Sequence, residues 1–237
     1  MRDPRPPDHC ELPPEVLALA ERCGADPTIT AGTRVALRQT GLMRSDAAHR
    51  WAPFRARQTM DLDRPGFVWR AKTGPLGCIA VTDALEEAGP RLSVVALGLI
   101  PLARVAADEA LTKGQLLRYL AELPLAPDAI LRNRALVWQA LNATTLRVAA
   151  THCGVSAQLD FTLGADGLVA SIFAADRPRL EGTRTVEHPW RGHFTDYRAH
   201  CGRQLPFAAE VAWILDGRET PVWRGTMDAW TLAAGSR

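Results

Sequence analysis

Arg118 and Glu122 lie one helical turn apart in the segment Gly114-Gln115-Leu116-Leu117-Arg118-Tyr119-Leu120-Ala121-Glu122, a spacing that sets a guanidinium beside a carboxylate on one side of a helix. In helical projection Leu116, Leu117 and Leu120 form an apolar side, while Leu111, Gln115, Arg118 and Glu122 fall opposite. On an exposed face such a pair contributes only a few tenths of a kcal/mol (~0.3) and does no chemistry. Facing a cavity, it orients a ligand oxygen or relays a proton, with Tyr119 as a neighbouring phenolic donor. Residues 189–198 pose a similar choice. As a strand they put Trp190, Gly192, Phe194 and Asp196 on one face and His193, Thr195 and Tyr197 on the other. Asp196 is then either a solvated strand-end residue or an acid whose pKa is raised by the aromatic rings in line with it. Glu210, between Ala208 and Ala212, has small neighbours that leave room for a ligand, and the same pattern suits an ordinary exposed face.

Two functions draw on these groups. In the first, the protein binds a largely apolar small molecule, with Arg118 fixing an oxygen and Trp190, Tyr197 and Glu210 completing the site. In the second, it is an enzyme without cofactor, an isomerase, cyclase, lyase or hydrolase of an apolar metabolite. Glu122 or Asp196 would then be the acid/base, Tyr119 or Tyr197 the hydrogen-bond donor, and Arg118 the stabiliser of developing negative charge. A structural or partner-binding module with an exposed apolar patch is a third alternative.

The remaining chemistry-bearing residues narrow the field. No phosphate-binding glycine loop, dinucleotide fingerprint or nucleophile elbow occurs in the chain. His188, His193 and His200 are separated by five and seven residues, which on one strand sends neighbouring imidazoles to opposite faces, so no metal is expected. The five cysteines, Cys10, Cys23, Cys78, Cys153 and Cys201, are odd in number and lack CxxC spacing, as free thiols in a reducing compartment would. The 28 basic and 26 acidic residues are spread along the chain without a basic stripe, which argues against nucleic acid as a partner. The N-terminus lacks the apolar core of a signal peptide, and a cytoplasmic protein is expected. The most apolar stretch, Ser93 to Ala106, contains Gly98, Pro101 and Arg104 and falls short of the roughly 20 apolar residues of a membrane span, so it reads as a buried strand and its exit.

The elements that must position these side chains are mainly strands. Residues 1–11 read as a flexible, proline-rich leader and 12–237 as a single domain of a size that large β-domains reach undivided. Pro13 and Pro14 open a short helix that should end at Gly24. Alternation of period two follows from Arg34, through 54–62, 66–72, 76–83 and 91–100, broken at Gly74-Pro75 and Gly89-Pro90. Asp108 caps a helix running to about Leu123, which Pro124 stops, and after Pro127 strands resume. Residues 155–163 and 168–174 form a hairpin through Asp166-Gly167, and 205–215 and 220–232 another through Asp216-Gly217. The expected fold is mainly β: a strongly curved antiparallel sheet or half-barrel of about ten strands wrapped around a central helix, with a short N-terminal helix.

Several separated motifs also occur in a familiar order: Leu12-Pro13-Pro14, Pro65-Gly66-Phe67-Val68-Trp69, the Gly114–Glu122 segment, His188-Pro189-Trp190 and Glu210-Val211-Ala212-Trp213. Together they resemble an uncharacterised bacterial family of unknown function, over roughly residues 12–232. That family is similar in architecture to lipoprotein-carrier half-barrels and lipocalin-like cups, and the resemblance implies an apolar ligand space with weight on Arg118, Tyr119 and Glu122. Members of the family are expected to carry membrane-spanning segments, which this chain does not show, so no membrane insertion is expected and the envelope is not the expected location.

Overall fold

The computed structural model describes residues 12–44, 50–98 and 100–234; the expected leader, with Cys10, lies outside them. Helix α1 (Pro14–Arg22) is followed by strands β1 (Arg34–Met43), β2 (Ala52–Asp61), β3 (Phe67–Thr73), β4 (Ile79–Glu86), β5 (Gly89–Ala96) and β6 (Ile100–Val105). Helices α2 (Glu109–Ala121) and α3 (Asp128–Arg132) come next, and then strands β7 (Val137–Asn142), β8 (Thr145–His152) and β9 (Val155–Leu163). The chain ends on the long strands β10 (Val169–Glu181), β11 (Arg184–His200), β12 (Arg203–Leu215) and β13 (Arg218–Ala233).

All 13 strands join one antiparallel sheet, a curled half-barrel in the order β6-β5-β4-β3-β2-β1-β13-β12-β11-β10-β9-β8-β7. Two meanders are thus joined where β1 lies beside β13, and the helical segment between β6 and β7 runs from one free edge of the sheet to the other. The count corrects the expected ten. The stretch read as one strand over 91–100 is a hairpin broken by left-handed backbone at Leu97 (φ 52°) and Gly98 (φ 74°). The position of β6 at the sheet edge also corrects the expectation of a buried strand at 93–106: Ile100 and Leu102 are more than half exposed, at 54% and 55%.

Alternation builds the core. Val35 and Leu37 of β1, Phe54, Ala56 and Met60 of β2, and Phe67, Trp69 and Ala71 of β3 turn inward, while the residues of opposite parity are more exposed. Helix α2 begins where the side chain of Asp108 accepts a hydrogen bond from the Leu111 amide at 2.7 Å, and it packs against β8–β10 on one side and β4 and β5 on the other. Leu116, Leu117 and Leu120 are fully buried there, each contributing about 1.5–3 kcal/mol of apolar burial. The chain does not return to strand directly after Pro127, as the alternation reading had it. Asp128 opens α3 instead, and its fully buried carboxylate accepts hydrogen bonds from the Asp26 amide (2.7 Å) and from Arg203 (3.0 Å), tying α3 to β12. Among the described residues no helix is long and apolar enough to cross a membrane.

Candidate functional site

Between the inner face of the sheet and α2 lies a cavity of about 200 Å³. Its apolar wall is aromatic: Trp69 of β3, Trp190 and Phe194 of β11, Trp213 of β12 and Trp223 of β13 all line it. Register explains their convergence. Trp190 pairs with Trp213 across β11 and β12, and Val211 pairs with Trp223 across β12 and β13, so the rings share one face. Trp223 also stacks on Phe54, centroids 5.5 Å apart. Its indole lies across Gly225, where a Cβ would come within 2.2 Å of the ring; glycine is what allows the tryptophan to lie there.

At the α2 side the wall becomes polar. Arg118, in the last turn of the helix where the dipole favours a cation, donates from Nε to Glu122 at 3.0 Å and from Nη1 to Asp83 of β4. It also lies over the rings of Phe67 and Trp69, 4.9 and 5.0 Å from their centroids. Burial opposes its charge, but Glu122 and Asp83 outweigh burial and hold its pKa above the ordinary arginine value. The second oxygen of each carboxylate is occupied as well, Glu122 by the Gln58 amide and Asp83 by the Gln115 amide. Gln58, Trp69 and Asp83 are cross-strand neighbours on β2, β3 and β4, so strand register alone brings these groups to the end of α2. Gln39 completes the row by accepting from the Trp69 indole at 3.0 Å.

Facing this cluster is Arg177 of β10, which sequence reasoning did not single out. Its guanidinium lies over the Trp190 ring at 4.1 Å, and its Nη1 is buried without a hydrogen-bond acceptor. A β-bulge aims it. Ala174 pairs with Trp190 but Arg177 pairs with His188, three residues on β10 against two on β11. On a regular strand Asp176 would follow Ile172 and Ala174 inward; the extra residue puts Arg177 there instead. Asp176 turns to Lys113 of α2, whose Nζ donates to it at 2.6 Å and to Glu187 at 2.7 Å. Burial, reinforced by repulsion from Arg118, pushes the pKa of Arg177 down to about 10 despite the opposing pull of Asp83 and Glu122.

The other residues singled out from sequence are distributed as follows. Arg118, Glu122 and Trp190 line the cavity. Tyr119 is fully buried outside it, donating to the Asp61 carbonyl at 3.1 Å and accepting from Asn133 at 2.8 Å, and burial pushes its phenol far above the ordinary tyrosine range. Tyr197 donates to the Val169 carbonyl at 2.8 Å and is likewise held protonated by burial. Asp196 has left-handed backbone (φ 56°), stands exposed and is gripped by Arg198 at 2.5 Å, whose hydrogen bonds lower its pKa. Glu210 pairs with Arg224 on the face opposite Val211, beside its register partner His193 of β11. Of the missed residues, Gln58 and Asp83 left a signal, a polar side chain at an inward position of an alternating strand. Arg177 left none, because a bulge changes the parity on which that reading depends.

A family model described as a family of unknown function (DUF6544) matches residues 4–225. No curated protein matches the chain in sequence. Among solved structures the fold is similar to that of a LolA superfamily protein from Nitrosomonas europaea, at 9% identity and TM-score 0.50 over 92% of this chain and 93% of that one. It is similar also to a putative outer membrane lipoprotein-sorting protein domain from Vibrio parahaemolyticus and to a DUF1329 family protein from Desulfovibrio piger. Each of these is 10% identical, with TM-score 0.50 over 94% of this chain and 93% of the other. At such identities the likeness is one of fold.

Proposed function

We propose that this chain, which belongs to the family of unknown function DUF6544, binds a largely apolar small molecule inside its half-barrel. The observation that carries the reading is the cavity of about 200 Å³, walled by Trp69, Trp190, Trp213 and Trp223 and bounded at one side by a salt-bridged cluster. Apolar walls with a few fixed polar groups are the pattern of small-molecule sites. The volume corresponds to about seven water-sized groups, so a ligand buries about seven methylene equivalents in it. At ~0.8 kcal/mol each this is about 5–6 kcal/mol, an affinity on the order of 0.1 mM before polar contacts add to it. The half-barrel likeness to a lipoprotein-sorting domain supports a cup for apolar chains. Arg118 and Glu122 serve here as a fixed polar wall, since the oxygens of Glu122 already accept from Arg118 and Gln58.

The test is titration with N-phenyl-1-naphthylamine, an uncharged fluorescent probe. Wild-type protein should show a saturable rise in probe fluorescence with quenching of tryptophan emission. Ala209→Trp, which fills the cavity from β12, should weaken binding about tenfold or more without loss of the folding transition. Absence of saturable binding, or binding untouched by Ala209→Trp, would falsify the proposal.

A further inference from the structure

We propose that the ligand is an amphiphile with an oxyanion head, a carboxylate or a phosphate, and that the head seats on Arg177. The inference rests on the reading of the cavity as an apolar-ligand site and names the class of ligand it takes. Two arginines reach this cavity and they differ in what remains to be satisfied. Arg118 is closed: two carboxylates flank it, and all four of their oxygens have donors in Arg118, Gln58 and Gln115. Arg177 is open. Among the described residues it has no carboxylate partner, and its buried Nη1 has no acceptor at all. Contact with the Trp190 face steadies the positive charge but accepts no N–H in the guanidinium plane.

The site is therefore short of two things, a hydrogen-bond acceptor and negative charge. The depressed pKa of Arg177 reports the second shortage, since burial and Arg118 outweigh Asp83 and Glu122 at that position. A neutral oxygen supplies only the acceptor, and a cationic head supplies neither. A carboxylate or phosphate supplies both, and the fork of a guanidinium matches two of its oxygens. The bulge that turns Arg177 inward, against the parity of its own strand, puts the fork beside Trp190 and Trp213, which are placed to cover the adjoining apolar chain.

The experiment displaces N-phenyl-1-naphthylamine with decanoate, decyl phosphate and decanol at about pH 7.5, where both anionic heads and Arg177 are charged. Each protein is read by the ratio of anion to decanol affinity. Wild-type protein should bind at least one of the anions about tenfold or more tighter than decanol, and whichever anion binds better identifies the head. In Arg177→Gln the ratio should fall to about one, and Arg177→Lys, which keeps the charge but not the fork, should retain part of it. The proposal is overturned if wild-type protein binds decanol as tightly as both anions, or if Arg177→Gln keeps the full preference. Should Arg177→Gln not fold, the wild-type ratio and its reduction in Arg177→Lys decide the matter. If neither the probe nor decanol binds wild-type protein, the apolar-ligand reading itself has failed, a result distinct from an anion preference that is missing while decanol still binds.

Discussion

Arg177→Met is expected to stabilise the ligand-free protein, a counterintuitive outcome for removal of a charged residue that packs on a tryptophan. Burial pushes its pKa from the ordinary arginine value down to about 10, which corresponds to about 3 kcal/mol of uncompensated charge burial in the folded state at neutral pH. Against this stands the loss of the contact with Trp190 at 4.1 Å, worth about 1–2 kcal/mol for a desolvated pair. Methionine keeps an unbranched apolar stem in the same channel, so little packing is lost. The net gain is about 1–2 kcal/mol, or a rise of about 2–8 °C in Tm for a chain of this length. Urea unfolding at neutral pH measures it directly. The pH dependence has a definite sign: from about pH 10 up to the ordinary arginine value the unfolded wild-type chain holds more protons than the folded one, so wild-type stability rises with pH there and the advantage of the variant shrinks. If Arg177→Met is instead less stable than wild type by about 1 kcal/mol or more at neutral pH, the guanidinium is satisfied within the protein and the argument for an external oxyanion loses its basis.

Arg118→Met should have the opposite effect, because it leaves Asp83 and Glu122 half-buried together without their cation; a loss of about 3–5 kcal/mol in urea unfolding is expected, and a loss below about 1 kcal/mol would show that solvent screens the cluster. Titration with a thiol reagent near pH 8 should label the exposed Cys153 and Cys201 rapidly and Cys23 only on unfolding, since burial, aided by Asp166, pushes the Cys23 thiol up to about 12. That raised value also means the folded state keeps a proton the unfolded chain loses, so the Cys23 contribution to stability declines as pH climbs from about 9 toward 12. All five thiols should react in the unfolded protein, and fewer would mean a disulfide.

What could be read in the sequence was whatever rests on short-range pattern. Helix α2 was legible from Asp108 at one end and Pro124 at the other, and the two C-terminal hairpins from Asp166-Gly167 and Asp216-Gly217 between alternating runs. The four-residue spacing of Arg118 and Glu122 gave their mutual contact, but not Asp83, which comes from a strand 35 residues away. Tyr119 and Tyr197 looked like free donors because a phenol advertises no partner in sequence; both are spent on backbone carbonyls of distant strands. Asp196 shared its parity with Trp190 and Phe194 and read as either a solvated strand-end residue or a buried acid; it is solvated, because left-handed backbone at that residue interrupts the parity. Asp196 and Arg177 share one physical reason: alternation assigns a face only while the strand is regular, and departures from regularity are fixed by tertiary pairing.

The bulge in β10 has a consequence for how relatives of this chain should be compared. Column-by-column alignment asks whether an arginine is present at a position, yet here two residues, Ala175 and Asp176, decide whether that arginine faces the cavity or the solvent. With the same four residues from Ala174 to Arg177 on a flat strand, the carboxylate of Asp176 would occupy the inward position, and the identical sequence would present the opposite charge to the cavity. A reversal of the charge that faces the cavity within such a family therefore requires no substitution at the site; a change in strand register, of the kind left by a one-residue insertion or deletion elsewhere in β10 or β11, is sufficient.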